Sequence, residues 1–280
     1  MWQAHHVSAL LVAAHPGLEV ELVPTSTEGD RRTDVPLWQI GGKGVFASEV
    51  QAAVLEGRAD LAVHSAKDLP AVTGEGLRLA AVPERGEARD ALVGSHLDGL
   101  PRGGVVATGS ARRRAQLAHR RPDLRFEELR GNMATRLEKS KGFDAIVVAA
   151  AAFERLGWSH HLRDVLDVEA MVPQVGQGAL AVECGADDVR SAELLSAVEH
   201  GPSRRRLDAE RGFLAELGGD CSLPAGAHAR LDGDSVHLLA TLSADVAGPT
   251  LFEEREGTDP ERLGRTVAAS LRQRLESATP

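Results

Sequence analysis

Three segments of the 280-residue chain carry residue types suited to chemistry. The first, His64-Ser65-Ala66-Lys67-Asp68-Leu69-Pro70, sets a lysine beside an aspartate directly after the apolar run Leu61-Ala62-Val63. The carboxyl end of a buried strand is where ligands of open α/β sheets bind. A carboxylate placed there can move a proton or stabilise a developing cation. The plainer reading is a loop in which Lys67 and Asp68 form a surface pair. The second is a set of arginines. Thr108-Gly109-Ser110-Ala111-Arg112-Arg113-Arg114 opens a helix, Arg130-Gly131-Asn132 and Arg136 follow the next strand, and Arg155 lies near a third helix. Free backbone N–H groups at a helix start suit an anion, and the guanidinium fork suits carboxylate or phosphate. The chain has 28 Arg and only 4 Lys, so base composition and solvated surface also explain single arginines, but not several at successive strand ends. Together they imply a ligand with several carboxylates or phosphates. The third is Leu217-Gly218-Gly219-Asp220-Cys221-Ser222-Leu223-Pro224, a cysteine in a glycine-rich loop. If one thiol reacts, it is Cys221. Cys184 ends the apolar run Ala179 to Val182 and reads as packing.

The elements that must position these residues follow from periodicity. Apolar residues at 4, 7, 10, 11 and 14 form a helical stripe that Pro16-Gly17 ends. Leu18 to Val23 alternates like a strand, Thr25 to Pro36 reads as a surface loop, and Val45 to Leu55 reads as a helix. Asp60 to His64, Arg78 to Pro83 and Ala91 to Gly94 are strands. Strands at Val105 to Ala107, Leu124 to Leu129 and Asp144 to Ala149 then alternate with helices at Ser110 to Arg120, Asn132 to Lys139 and Ala150 to Leu156. Such alternation predicts a parallel sheet covered on both faces. Gln177 to Glu183 is a further strand, and Arg190 to Glu199 and Ser203 to Leu217 are helices. Strands at Ala227 to Leu231, Ser235 to Ser243 and Thr250 to Glu254 read as antiparallel, and Pro260 to Glu276 as a closing helix. The fold class is α/β: two α/β units joined by a hinge-like Val172 to Ala179 segment, plus a small α+β unit.

Composition bounds the function. The chain is 42% hydrophobic with 32 basic and 41 acidic side chains, a formal charge of −9. That excludes a disordered chain, and the length suits two or three domains. No run approaches the ~18 apolar residues a membrane helix needs. Aromatics are 3% and tyrosine is absent, which argues against nucleic-acid stacking platforms, as the acidic balance argues against a phosphate-backbone binder. Two cysteines exclude a disulfide framework and point to a reducing, cytoplasmic setting. His5-His6 and His160-His161 lack further ligands at metal spacing, so no metal is expected. Gly41-Gly42-Lys43-Gly44 lacks phosphate-loop spacing.

In order and spacing, Gly41 to Gly44, His64 to Pro70, Thr108 to Leu117, Leu129 to Leu137, Asp144 to Gly157, Val175 to Glu183 and Gly219 to Ala229 resemble the porphobilinogen deaminase family. The resemblance implies two domains like the halves of a periplasmic-type binding protein, 1–83 with 179–196 and 86–174, and a third domain, 201–280. It implies a dipyrromethane cofactor on Cys221 through a thioether. Ser65, Lys67, Thr108, Ser110, Arg112, Arg113 and Gln177 would surround that cofactor. Arg130, Arg136, Arg155, Lys43 and Asn132 would bind substrate, and Asp68 would be the catalytic carboxylate. The implied reaction joins four porphobilinogen molecules head to tail with loss of ammonia and releases hydroxymethylbilane. A monomer with a small-molecule substrate is expected. A non-catalytic protein of similar fold that closes on a carboxylate-rich ligand is the alternative.

The chain departs from the family pattern in three places. Ala107-Thr108-Gly109-Ser110 replaces a Gly-Thr-Ser-Ser-like turn, and Met133-Ala134 is unusual after Asn132. A first strand and a Thr-Arg-x-Ser turn, which would add an arginine and a serine to the site, do not precede Trp2. The expectation is a chain that folds poorly or is weakly active as written, or an impaired paralogue.

Overall fold

The computed structural model describes residues 1–25, 48–218, 224–245 and 248–278. Gly41 to Gly44 with Lys43, the predicted loop from residue 26 on, the first turn of the helix expected from Val45, and Cys221 lie outside the described residues.

The first sheet has the order β1-β8-β2. β8 (Leu180–Gly185) pairs antiparallel with both β1 (Leu61–Ser65) and β2 (Leu77–Ala81). The first five residues of β8 are buried, as a central strand covered on both faces requires. On one face α1 (Trp2–Ala14) sets Val7 and Leu11 against Ala81, Leu180, Val182 and Leu195, the last from α6 (Val189–Ser196). On the other, Ala66 and Leu69 pack against Val82, Ala181 and Leu207. α2 (Ser48–Leu55) packs Val54 against Ala62 and Leu77. Leu18 to Val23 corrects the sequence reading: exposure does alternate along it, yet it is no strand. Alternation reports only which side chains face inward, whereas a strand also needs a ladder partner, and no described strand pairs with this segment.

The second sheet runs β5-β4-β6-β3-β7. β5 (Arg125–Glu127), β4 (Val105–Ala107) and β6 (Ala145–Ala149) are parallel. β3 (Asp90–Val93) runs antiparallel to β6 and to β7 (Leu162–Val165). The expected all-parallel sheet is therefore mixed, because the chain enters it on β3 and leaves it on β7. Both faces are covered. Leu92, Val106, Val147 and Leu117 pack on one side, and Ala91, Ile146, Val148 and Phe153 on the other. Leu117 comes from α3 (Ala111–Arg120) and Phe153 from α5 (Ala150–Arg155), while α4 (Met133–Lys139) adds partly buried Met133 and Leu137.

The third unit is an antiparallel meander, β9 (Ala225–Asp232), β10 (Ser235–Ser243) and β11 (Thr250–Gly257), under α7 (Gly201–Glu216) and α8 (Pro260–Ala278). Phe213, Leu238, Val267 and Leu271 centre its core. The two helices cross where a Cβ on Gly212 would lie 2.5 Å from the Glu261 carbonyl oxygen, and one on Gly264 2.5 Å from the Phe213 nitrogen. The sheets meet at a buried carboxylate. Glu210 on α7 is fully buried and takes two hydrogen bonds from Arg85, which lies on the crossover between the first two sheets, at 2.7 and 3.1 Å. It also accepts from the backbone N–H groups of Gly176 (2.8 Å), on the return crossover, and of Ala229 (2.9 Å), on β9.

Candidate active site

The site is built from strand ends and helix starts. β1 runs into a single 3-10 turn, Ala66–Asp68. The buried Ala66 and Leu69 anchor that turn, so Lys67 and Asp68 between them face the space between the sheets. Arg211 of α7 donates to the Pro70 carbonyl at 3.0 Å and ties the turn to the third unit. Beneath it, His64 Nε2 lies 3.1 Å from the buried Glu183 carboxylate, which also accepts from Gln51 at 2.8 Å.

Gln177 bridges the two sheets. Its amide nitrogen donates to the Ala88 carbonyl (2.8 Å) and to Asp90 (3.0 Å), and its oxygen lies 3.4 Å from Lys67 Nζ. Asp90, fully buried, opens β3 and pairs with two arginines of α3, Arg112 and Arg113. Arg112 Nη2 lies 2.8 Å from Oδ2, and Arg113 donates to Oδ1 at 2.7 and 3.0 Å. Arg112 also donates to the Val172 carbonyl at 2.5 Å. Ser110 caps α3 by accepting from the Arg113 N–H, and Thr108 Oγ1 accepts from the Ser110 N–H at 3.2 Å. Arg155 donates to the Gly178 carbonyl at 2.9 Å, and its guanidinium sits 5.2 Å from the centroid of the Trp2 ring. Trp2 in turn stacks on His6 at 4.8 Å.

The electrostatics follow from this packing. Desolvation raises the Asp68 carboxyl above its ordinary value, opposed by the positive charge of Lys67, by His64 and by Arg155. Desolvation also lowers Lys67 to about 8, with Asp68 opposing. For Asp90, burial alone would raise the pKa, but Arg112, Arg113 and the Gln177 hydrogen bond outweigh it and hold the group at about 2. Desolvation lowers Arg136 and Arg155 as well.

Of the residues singled out from sequence, the structure gathers Ser65, Lys67, Asp68, Thr108, Ser110, Arg112, Arg113 and Gln177 around one place, with Arg155 close enough to act on Asp68. Arg136 and Arg130 extend this basic wall, where Arg136 feels both Arg113 and Arg130. Asn132 spends its side chain on capping α4, accepting from the Thr135 N–H at 3.0 Å. Asp90, Gln3 and Trp2 were not singled out. Gln3 donates to the Ser65 hydroxyl at 2.6 Å. The one available signal was an aspartate opening an otherwise apolar strand, Asp90-Ala91-Leu92-Val93.

A family model described as "Porphobilinogen deaminase, dipyromethane cofactor binding domain" matches residues 1–193. The chain belongs to the porphobilinogen deaminase family. A second model, the C-terminal domain of porphobilinogen deaminase, matches residues 205–273. Among solved structures, YhfZ from Shigella flexneri is 16% identical, with a TM-score of 0.39 over 78% of this chain and 86% of that one. The amino acid ABC transporter substrate-binding protein AbpA from Streptococcus pneumoniae, bound to L-arginine, is 18% identical, with a TM-score of 0.33 over 78% of this chain and 79% of that one. The BvgS periplasmic domain of B. pertussis is 17% identical with a TM-score of 0.34. The match covers 70% of this chain and spans about a third, 34%, of the BvgS chain. Among the described residues, no helix of this porphobilinogen deaminase family member is long and apolar enough to cross a membrane.

Proposed function

We propose that the protein condenses four porphobilinogen molecules, releasing ammonia at each addition, and that water then releases the linear product as hydroxymethylbilane. The observation that carries this reading is Asp68, a carboxylate with no arginine salt bridge among the described residues, set on a turn beside Lys67 and within reach of Arg155, next to the arginines Arg112, Arg113 and Arg136. Porphobilinogen and its oligomers carry an acetate and a propionate on each ring, and such a group of cations suits them. The same donor set fits a dipyrromethane. Arg112 Nε is buried without a hydrogen-bond partner among the described residues.

In this reading the cofactor is held through a thioether on Cys221, in the link between α7 and β9. Ser65, Lys67, Thr108, Ser110, Arg112, Arg113 and Gln177 hold its carboxylates. The bound group supplies the pyrrole carbon to which each new unit is joined. Arg130, Arg136 and Arg155, with Lys43, receive the carboxylates of the incoming porphobilinogen. As ammonia leaves, the C–N bond breaks and positive charge develops on the incoming unit. Asp68 stabilises that charge and helps to carry away the proton released when the new C–C bond forms. Three domains, 1–83 with 179–196, 86–174 and 201–280, close around the reaction.

Intact mass of the purified protein and of Cys221→Ser tests the attachment, and turnover of Asp68→Asn tests the carboxylate. The expected results are a dipyrromethane adduct lost in Cys221→Ser, and a folded, adduct-bearing Asp68→Asn protein without turnover. An unmodified wild-type protein, or undiminished turnover in Asp68→Asn, refutes the corresponding part.

A further inference from the structure

Glu128 follows β5 at the basic wall, with a side chain 51% exposed. One carboxylate oxygen lies 2.9 Å from Arg114 Nη2, and the other 3.3 Å from Arg130 Nε. Arg114 is itself fixed by two hydrogen bonds to the Thr108 carbonyl, at 3.1 and 2.9 Å. Gly109 lets the carboxylate approach closely: a Cβ there would stand 2.8 Å from Glu128 Oε1 and 3.1 Å from the Leu129 carbonyl oxygen, so the side chain would have to shift. Three separate parts of the chain, a missing Cβ and two guanidinium groups, thus converge on one carboxylate. It also acts on Arg136, offsetting part of the repulsion from Arg113 and Arg130.

Glu128 makes with Arg130 the kind of contact that a carboxylate-bearing ligand would make. An ion pair this exposed is weak and readily exchanged. We propose that Glu128 is an internal competitor: it occupies Arg130 in the ligand-free protein, gives way to a ligand carboxylate, and so sets the affinity of this wall for polycarboxylates. The inference rests on the reading that Arg130 receives substrate carboxylates. Glu128 is a specificity-determining residue, not a catalytic one, since it is assigned no contact with the reacting atoms.

Glu128→Gln removes the charge and keeps the shape. Two readouts on the cofactor-bearing protein separate this proposal from the enzymatic reading. Calorimetric titration with tricarballylate, a small tricarboxylate, needs no turnover. The expected Kd falls by about two- to fivefold in Glu128→Gln, the range set by an exposed ion pair. The KM for porphobilinogen falls in step while kcat holds. A Gln variant with wild-type Kd, or with weaker binding, overturns the proposal, because a purely structural contact survives the substitution and a contact that positions Arg130 for ligand loses affinity. Absence of tricarballylate binding in both proteins overturns it too. A wild-type protein without adduct or turnover refutes the enzymatic reading and leaves the titration to decide the role of Glu128.

Discussion

Replacing Asp90 by asparagine keeps its size and removes the one carboxylate among the described residues that lies within hydrogen-bonding distance of Arg112 and Arg113. Both guanidinium groups are buried, and the hydrogen bonds to the Val172 and Val147 carbonyls that remain do not balance their charge. Breaking one partner from a buried ion pair costs about 3–5 kcal/mol. The depressed pKa of Asp90 gives a second figure. Asp90 falls from 3.8 to about 2, which corresponds to about 2 kcal/mol favouring its charged form. The group's folded-state pKa is depressed, so its contribution is complete above pH 3.8 and is lost as pH falls through about 2. Urea denaturation at pH 7 should show Asp90→Asn less stable by about 3–5 kcal/mol. Repeating it between pH 5 and 2 should show the wild type losing about 2 kcal/mol of that advantage. A loss under about 1 kcal/mol at pH 7, or parallel pH profiles for the two proteins, would refute the view that this carboxylate holds the arginine pair in place.

Two further predictions follow the same logic. Lys67, at about 8 in the folded protein, is protonated below that pH and loses its charge above it, so kcat/KM for porphobilinogen should fall as pH rises through about 8. Lys67→Arg should move that limb upward, because arginine stays charged; an unmoved limb assigns it to another group. Gly264→Ala should destabilise the third unit by about 1–3 kcal/mol through overpacking, since the new methyl meets the Ala209 carbonyl and the Phe213 nitrogen. An unchanged thermal midpoint would show that α7 and α8 can separate freely.

The second sheet was largely legible because its signals are local. Ser110 and Asn132 cap α3 and α4 from their own side chains, and Ala145 to Ala149 is an unbroken buried run. β7 carries little sequence signal, because none of its residues is buried, Arg163 is exposed and the buried Leu166 lies just beyond it. Leu18 to Val23 was misread for the opposite reason: its pattern is local, but pairing is not. The cationic wall could be read because arginines recur at strand ends. What neutralises it could not, since Asp90 is 23 residues from Arg113 and Glu210 is 125 residues from Arg85, separations over which no periodicity speaks.

Glu210 accepts hydrogen bonds from an arginine on one crossover, an amide on the other and an amide on β9. The charge that fastens the two crossovers between the first two sheets is therefore also the mooring of the third. Losing that one carboxylate would loosen both crossovers and the third unit together, so the three units share one electrostatic fastening.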